Sequence, residues 1–309
     1  MTRKNYSPLR YPGGKAKVLD FMKELIVTNF PKNRKPVYIE PYAGGAAVAL
    51  GLLLDGYVSE IYINDADPAI YSFWNNIVKH SNKFIKAIQD IDVTIDEWHN
   101  QVDIYRKNKP GFALGVAAFF LNRCNHSGVL KGGAIGGLKQ DGKYLIDCRF
   151  NKSDLINRIV QIAKFKKHIH LYGEDTLQLL QSKEIQKIIK NNCLLYLDPP
   201  YYVKGGQLYK NSYSDNDHKN IAEMMQKMNG KWVVSYDNVP EIQDLYAWVS
   251  DNKKVQFDLR YCAGQTSKSG NEIMLFSDRI WVHFYRHVRN HGKTKRLGTL
   301  QTQLPRGTE

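Results

Sequence analysis

Residues 198–201 read Asp-Pro-Pro-Tyr and follow directly on the apolar run CLLYL. A strand that stops on two prolines has an end that cannot extend its ladder, because proline has no N–H to donate. The Asp198 carboxylate and the Pro199 carbonyl are two acceptors, suited to the two N–H bonds of one amino group. Tyr201 follows closely enough to lay its ring on a flat heterocycle. A turn closing a strand would account for the prolines but not for the carboxylate. The four residues together make a holder for an aromatic amine.

Two further stretches carry chemistry. In YIEPYAGGAAVAL, Glu40 ends a strand and Gly44 and Gly45 form the turn into a helix. Glycines there let a ligand approach the backbone while the helix N-terminus offers N–H groups. The turn is not a GxGxxG fingerprint, and GGKAK at 13–17 lacks the spacing of a phosphate loop. EIYINDADPAI ends its strand at Asn64–Asp65, about 20 residues beyond the glycine turn, the separation at which an acidic side chain meets ribose hydroxyls. Taken alone, Asp65 or Asp67 is more simply a cap for the next helix.

Such groups need strands to hold them. Residues 1–70 contain a helix, KVLDFMKELIVTNF, then VYIEPY and EIYINDAD as strands around a small-residue helix, the pattern of a parallel sheet with crossover helices. From about 166 onward the alternation resumes, with HIHLYGED, CLLYLDPPY, KWVVSYDN and NEIMLFSD as strands. TLQLLQSKEIQKIIKN and DHKNIAEMMQKMNG are the helices between them. Residues 71–165 differ: IYSFWNNIVKHSNKFIKAIQDI and FALGVAAFFLNRC have helical apolar spacing. They lead into NHSGVLKGGAIGGLKQDGKYLIDCRFNK, an irregular segment rich in Gly and Lys, and long segments of that kind usually carry function. One α/β sheet is therefore interrupted by a helical, loop-rich insert, and residues 286–309 form a polar, basic tail.

Lys and Arg outnumber Asp and Glu by 44 to 30 in the 309 residues, a net charge of +14 that attracts polyanions. No apolar run approaches the ~20 residues that span a bilayer, and the first ten residues lack the apolar core of a secretory signal. Cys124, Cys148, Cys193 and Cys262 have neither CxxC spacing nor nearby histidine pairs, which favours reduced thiols over zinc or disulfides. A cytoplasmic protein with no metal and no membrane partner is expected.

SPLRYPGGK, YIEPYAGGAAVAL, YINDAD and LYLDPPY, in that order, resemble the D12 class of N6-adenine DNA methyltransferases, the Dam-like family. AFFLNRCNHSG and YLIDCRFNK in the insert are similar to that family too, so the resemblance covers nearly the whole chain up to about 280. It implies an α/β, Rossmann-like seven-stranded methyltransferase sheet using S-adenosyl-L-methionine. The discontinuous catalytic domain would be residues 1–70 and 166–285, and the target-recognition insert residues 71–165. Tyr11 and Lys15 match cofactor-contacting positions, with Lys15 placed to pair with the methionine carboxylate. Tyr11 stands where the family often has tryptophan. Tyr42 and Gly44 fall beside the methionine portion, Asp65 matches the ribose-binding carboxylate, and Asp198 lies where cofactor and target pockets meet. Asp175 in LYGEDTL either touches the cofactor's adenine or caps a helix.

The implied reaction is direct transfer of a methyl group to adenine N6 in double-stranded DNA, with the base rotated out of the duplex. Asp198 and Pro199 would hold N6, Tyr201 would stack on the base, and no metal is needed. Arg123, His126, Lys131 and Arg149 in the insert would face phosphates or base edges, although any one of them read singly is a solvated surface charge. Adenine N6 in RNA and cytosine N4 in DNA are alternative targets of the same chemistry, for which relatives more often carry Asn or Ser in place of Asp198. A non-catalytic DNA-binding protein on the same scaffold is the third reading. The segment NRCNHSG lacks the aromatic-Asn-Gly of GATC-specific relatives and so argues against that site. A monomer is expected, and a restriction–modification pair, a phage and a solitary regulator all suit the chain.

Overall fold

The computed structural model describes residues 6–10, 18–202, 213–263 and 266–282. Seven strands form one sheet: β1 (Val37–Glu40), β2 (Glu60–Asn64), β3 (Ile169–Tyr172), β4 (Cys193–Leu197), β5 (Lys231–Asp237), β6 (Lys254–Ala263) and β7 (Thr266–Phe276). Their order is β3-β2-β1-β4-β5-β7-β6, parallel except where β7 runs against both β5 and β6. All five residues of β4 are buried, as a near-continuous apolar run requires when helices cover both faces of a parallel sheet.

From β1 the chain moves outward to β2 and β3, then returns to β4 and moves the other way to β5. The carboxyl ends of β1 and β4 therefore flank the point where the strand order reverses, the crevice in which open α/β sheets bind ligands. The glycine turn after β1 and the Asp-Pro-Pro-Tyr corner after β4 lie side by side there.

Helices α1 (Leu19–Asn29), α2 (Ala47–Leu54) and α3 (Pro68–Lys79) cover one face, together with α4 (Ser81–Asp90), α5 (Ile95–Lys107), α6 (Phe112–Cys124) and α7 (Lys152–Ala163). The other face lies under α8 (Thr176–Gln181), α9 (Lys183–Ile189), α10 (Asp215–Lys227) and α11 (Pro240–Leu245). Pro68 at the first helical position and the Asp67 side chain, which accepts the Ala69 N–H at 2.8 Å, start α3. Its buried Phe73, Trp74 and Ile77 join the core. Nearly every side chain of α6 is buried, and it packs so closely on α3 that a Cβ on Gly115 would lie 2.5 Å from the Ser72 carbonyl oxygen.

Several local details differ from the sequence expectations. The long helical stretch after Asp67 breaks at His80 into α3 and α4, and the one after Asp175 breaks at Ser182, whose side chain caps α9. The limit drawn at residue 70 falls inside α3, which packs on β3 as well as on α6. Strand β6 and helix α5 were not anticipated, though Lys-Val-Gln-Phe-Asp-Leu alternates cleanly and Trp98, Gln101, Val102 and Tyr105 share a helical face. Among the described residues no helix is long and apolar enough to cross a membrane. The tail, 286–309, lies outside the described residues.

Candidate active site

The β1 end is organised by carboxylates. Glu40 is buried, and its Oε2 accepts the Ala49 N–H of α2 at 3.1 Å, so the strand caps the helix that follows it. Between them Gly44 (φ 46°) and Ala46 (φ 47°) are left-handed, a conformation glycine adopts freely and alanine only when the surroundings demand it. Asp65 at the end of β2 secures this turn: Oδ2 accepts the Gly44 N–H at 2.8 Å and Oδ1 the Asp67 N–H at 2.9 Å. The Trp74 indole donates to the Gly44 carbonyl at 2.8 Å.

Asp67 caps α3, so Asp65 is the carboxylate that reaches the glycine turn. Burial pushes Asp65 up to about 7, against the pull of the two backbone N–H groups and with help from the Asp67 charge. A carboxylate has about four lone-pair directions, and these two N–H groups use two of them. The residual capacity suits a pair of ribose hydroxyls.

Asn64, which sequence reasoning passed over, ties three strand ends together. Its Nδ2 donates to the carbonyls of Pro41 and Glu174, each at 3.0 Å, and its Oδ1 accepts the Glu174 N–H at 2.9 Å. Asp175 caps α8, with Oδ1 accepting from Leu177 and Gln178. Tyr42 is half-buried, and its hydroxyl shares a 2.8 Å hydrogen bond with that of Tyr213. Tyr11 and Lys15 lie outside the described residues, but Arg10 just before them is docked on the insert. Asn122 accepts the Arg10 N–H at 2.6 Å and donates to the carbonyls of Arg10 (2.7 Å) and Gly128 (2.9 Å).

At the β4 end the corner is tethered to the neighbouring strand β5 on both sides of its prolines. Asp198 Oδ1 accepts from the Ser235 hydroxyl on β5 at 2.7 Å. The Tyr202 N–H donates to Asp237 Oδ1, also on β5, at 2.9 Å. Burial, Asp198 and Glu272 on β7 together hold the Tyr201 phenol far above its usual range. Pro199 is buried, while Asp198 and Tyr201 remain partly accessible. An anchored ring beside a carboxylate on a rigid strand end is a surface for a planar base. Tyr202 and Tyr213 both rest against the ring of His218, whose Nδ1 lies 3.0 Å from the Tyr236 hydroxyl; burial lowers the His218 pKa.

The four insert residues fall into two groups. His126, Lys131 and Arg149 are exposed. Arg123 is not: only 9% accessible, it donates from Nε to the Arg149 carbonyl at 2.7 Å. Burial and the nearby charges of Arg10 and Arg158 lower its pKa to about 10. It shapes the loop from within.

An Asp65-secured glycine turn and an Asp-Pro-Pro-Tyr corner, adjacent at the switch point of a seven-stranded sheet, suit a methyltransferase of the Rossmann-like class. The chain belongs to the D12 class N6 adenine-specific DNA methyltransferase family, which matches residues 11–256. It is 24% identical over 284 residues to the type II methyltransferase M.MjaIII of Methanocaldococcus jannaschii, covering 85% of this chain and 95% of that one. It is also 24% identical over 233 residues to the modification methylase StsI of Streptococcus sanguinis, covering 71% of this chain and 32% of that longer protein. The rRNA methyltransferase aviRa from Streptomyces viridochromogenes superposes with a TM-score of 0.40 and 10% identity, covering 89% of this chain and 93% of that one. The fold assignment rests on the strand order of the chain itself.

Proposed function

We propose that this protein methylates adenine N6 at specific sites in double-stranded DNA, with S-adenosyl-L-methionine as donor and the target base rotated out of the duplex. The observation that carries this reading is the Asp198–Pro199 corner, beside the Asp65-secured glycine turn, with the Asp198 carboxylate bonded to Ser235. When bound, S-adenosylmethionine would supply a methyl carbon on a sulfonium, to which the amino nitrogen bonds as the carbon–sulfur bond breaks and the neutral thioether leaves. Asp65 would hold its ribose and the Gly44 turn its methionine portion, with Tyr42 alongside, and Tyr11 and Lys15 complete that pocket. The fit is supported by a half-buried carboxylate with lone pairs to offer and a turn without side-chain bulk.

N6 is a weak nucleophile because its lone pair is delocalised into the ring. Hydrogen bonds from N6 to Asp198 and to the Pro199 carbonyl favour a more tetrahedral nitrogen as the new bond forms. A hydrogen bond to a charged group contributes roughly 1.5–3 kcal/mol, and each 1.36 kcal/mol is about tenfold in rate. The Asp198 carboxylate is also the nearest acceptor for the proton that N6 loses. Tyr201 stacks on the base. Holding N6 in line with the methyl carbon supplies much of the remaining acceleration.

Residues 71–165 act as the recognition insert, with His126, Lys131 and Arg149 on the DNA and Arg123 supporting them from inside. Cofactor turn and amine corner come from one chain, which supports action as a monomer. Relatives named as a type II methyltransferase and a modification methylase support a role in restriction–modification beside a cognate endonuclease. A DNA substrate supports a cytoplasmic place of action. The test is to incubate duplex DNA and RNA separately with methyl-labelled cofactor and analyse the nucleosides. Label in N6-methyl-2′-deoxyadenosine from duplex DNA is expected; label confined to RNA or to N4-methyl-2′-deoxycytidine would overturn the reading.

A further inference from the structure

Ser235 is a hydroxyl in the middle of an apolar sheet. It is fully buried on β5, between Val234 and Tyr236, at a position where alanine or valine would pack without any polar group to satisfy. The register pairs Tyr196 with Val233 and Leu197 with Val234, which brings Asp198 level with Ser235. Tyr196, Asp198, Val233 and Ser235 share one face of the sheet because side chains alternate along a strand. Ser235 Oγ donates to Asp198 Oδ1 at 2.7 Å, and the Tyr196 hydroxyl lies 2.9 Å from the same Oγ. Tyr196, too, is fully buried.

The direction of these bonds follows from counting protons. A carboxylate has none to give, and a serine hydroxyl has one. With that proton directed at Asp198, Ser235 Oγ must accept from Tyr196. The three residues thus form an ordered series, Tyr196 O–H to Ser235 Oγ and Ser235 O–H to Asp198 Oδ1, in which the first bond polarises the second.

We propose that Ser235, backed by Tyr196, is a positioning residue for the methyl transfer: it fixes the rotation of the Asp198 carboxylate so that N6 meets an acceptor already aimed at it. This rests on the adenine-N6 reading above. Removing this bond loosens a constraint on the carboxylate, and the orientation that N6 needs is held less firmly. Neither residue touches the base or the donor, so binding of both should survive their loss while the chemical step slows.

The test uses the full chain and a duplex carrying a site the wild-type enzyme methylates. Single-turnover rates and separate dissociation constants for duplex and for S-adenosylmethionine are measured for wild type, Ser235→Ala, Tyr196→Phe and the double variant. Ser235→Ala should slow the single-turnover rate about 10- to 100-fold with both dissociation constants within about twofold. Tyr196→Phe should slow it about 3- to 10-fold, because its loss weakens the Ser235 bond without removing it. The double variant should be no slower than Ser235→Ala, since Tyr196 acts through Ser235. Multiplying losses in the double variant, a Ser235→Ala rate within twofold of wild type, or a loss found wholly in the dissociation constants would each overturn the proposal. Should Ser235→Ala fail to fold, the near-isosteric Tyr196→Phe carries the test, and an unchanged single-turnover rate would refute the series. Failure of the wild-type chain to methylate adenine would instead refute the functional reading.

Discussion

Around the corner that follows β4, side chains bond to side chains: Ser235 to Asp198 and Tyr196 to Ser235. In the loop of the insert, the amide side chains bond mostly to backbone. Asn122 holds Arg10 and Gly128, Asn125 donates to the carbonyls of Val129 and Leu130, and Gln140 Nε2 donates to those of Ile135 and Gly137 while its Oε1 accepts the Ile146 N–H. The difference follows from the scaffolds. Strands already satisfy their own backbone, so their side chains are available to orient one another. A loop of 27 residues between α6 and α7 has no ladder, and amides with both donor and acceptor must hold its path. The corner after β4 is held by the sheet, while the path of the insert is held by a loop on which His126, Lys131 and Arg149 are exposed.

The largest effect should come from the corner. Asp198→Ala is expected to lower the single-turnover rate by about 10²- to 10³-fold or more, on the scale of removing one preorganised polar group from an active site, with duplex affinity nearly unchanged. Equal loss of rate and affinity would mean the two regions are not separable. On the insert side, Asn122→Ala removes three hydrogen bonds and leaves buried backbone groups unpaired. A loss of about 2–4 kcal/mol is expected in denaturant melts. A melt like that of wild type would show that the loop does not depend on its amides.

An intermediate effect concerns the cofactor turn. Asp65 holds its proton more tightly in the fold than in the unfolded chain, since its pKa rises from 3.8 to about 7. Its contribution to stability is therefore present below pH 4 and lost as pH climbs from about 4 to 7. Ribose hydroxyls are best met by the ionised form. Affinity for S-adenosylmethionine, measured by calorimetry, should rise about tenfold from pH 6 to pH 8, and Asp65→Asn should flatten that rise. A pH-independent affinity in the wild type would exclude this role.

The smallest effects sharpen the contrast inside the insert. Lys131→Ala and Arg149→Ala should each weaken duplex binding a few-fold and reduce the salt slope by about 1, as loss of a phosphate contact does. Arg123→Ala should lower the melting temperature and leave the salt slope unchanged, because its side chain is buried on the Arg149 carbonyl. A reduced salt slope for Arg123→Ala would show that it reaches DNA after all.

The sheet was legible because its strands end on chemistry. CLLYL before Asp198, and Glu40 and Asn64–Asp65 after short apolar runs, mark positions that no packing argument explains, and the structure puts them at one crevice. What escaped was supplied by partners distant in sequence. Ser235 reads as an unremarked residue in KWVVSYD until the register sets it beside Asp198, 37 residues away. Glu272 and Asn122 are of the same kind. In sequence Arg123 looks like its exposed neighbours, because an arginine in a basic segment gives no sign of burial, which depends on how α6 packs. Asp67 and Asp175 resolved as helix caps, a role local sequence does announce.

The measurement that bears most directly on the central claim is a crystal structure with a duplex containing the methylated site and a non-reactive analogue of the methyl donor. Adenine should stand outside the helix with N6 within hydrogen-bond distance of both the Asp198 carboxylate and the Pro199 carbonyl, and its ring should lie on Tyr201. An adenine still stacked in the duplex, or seated away from Asp198 with that corner filled by protein, would contradict the account.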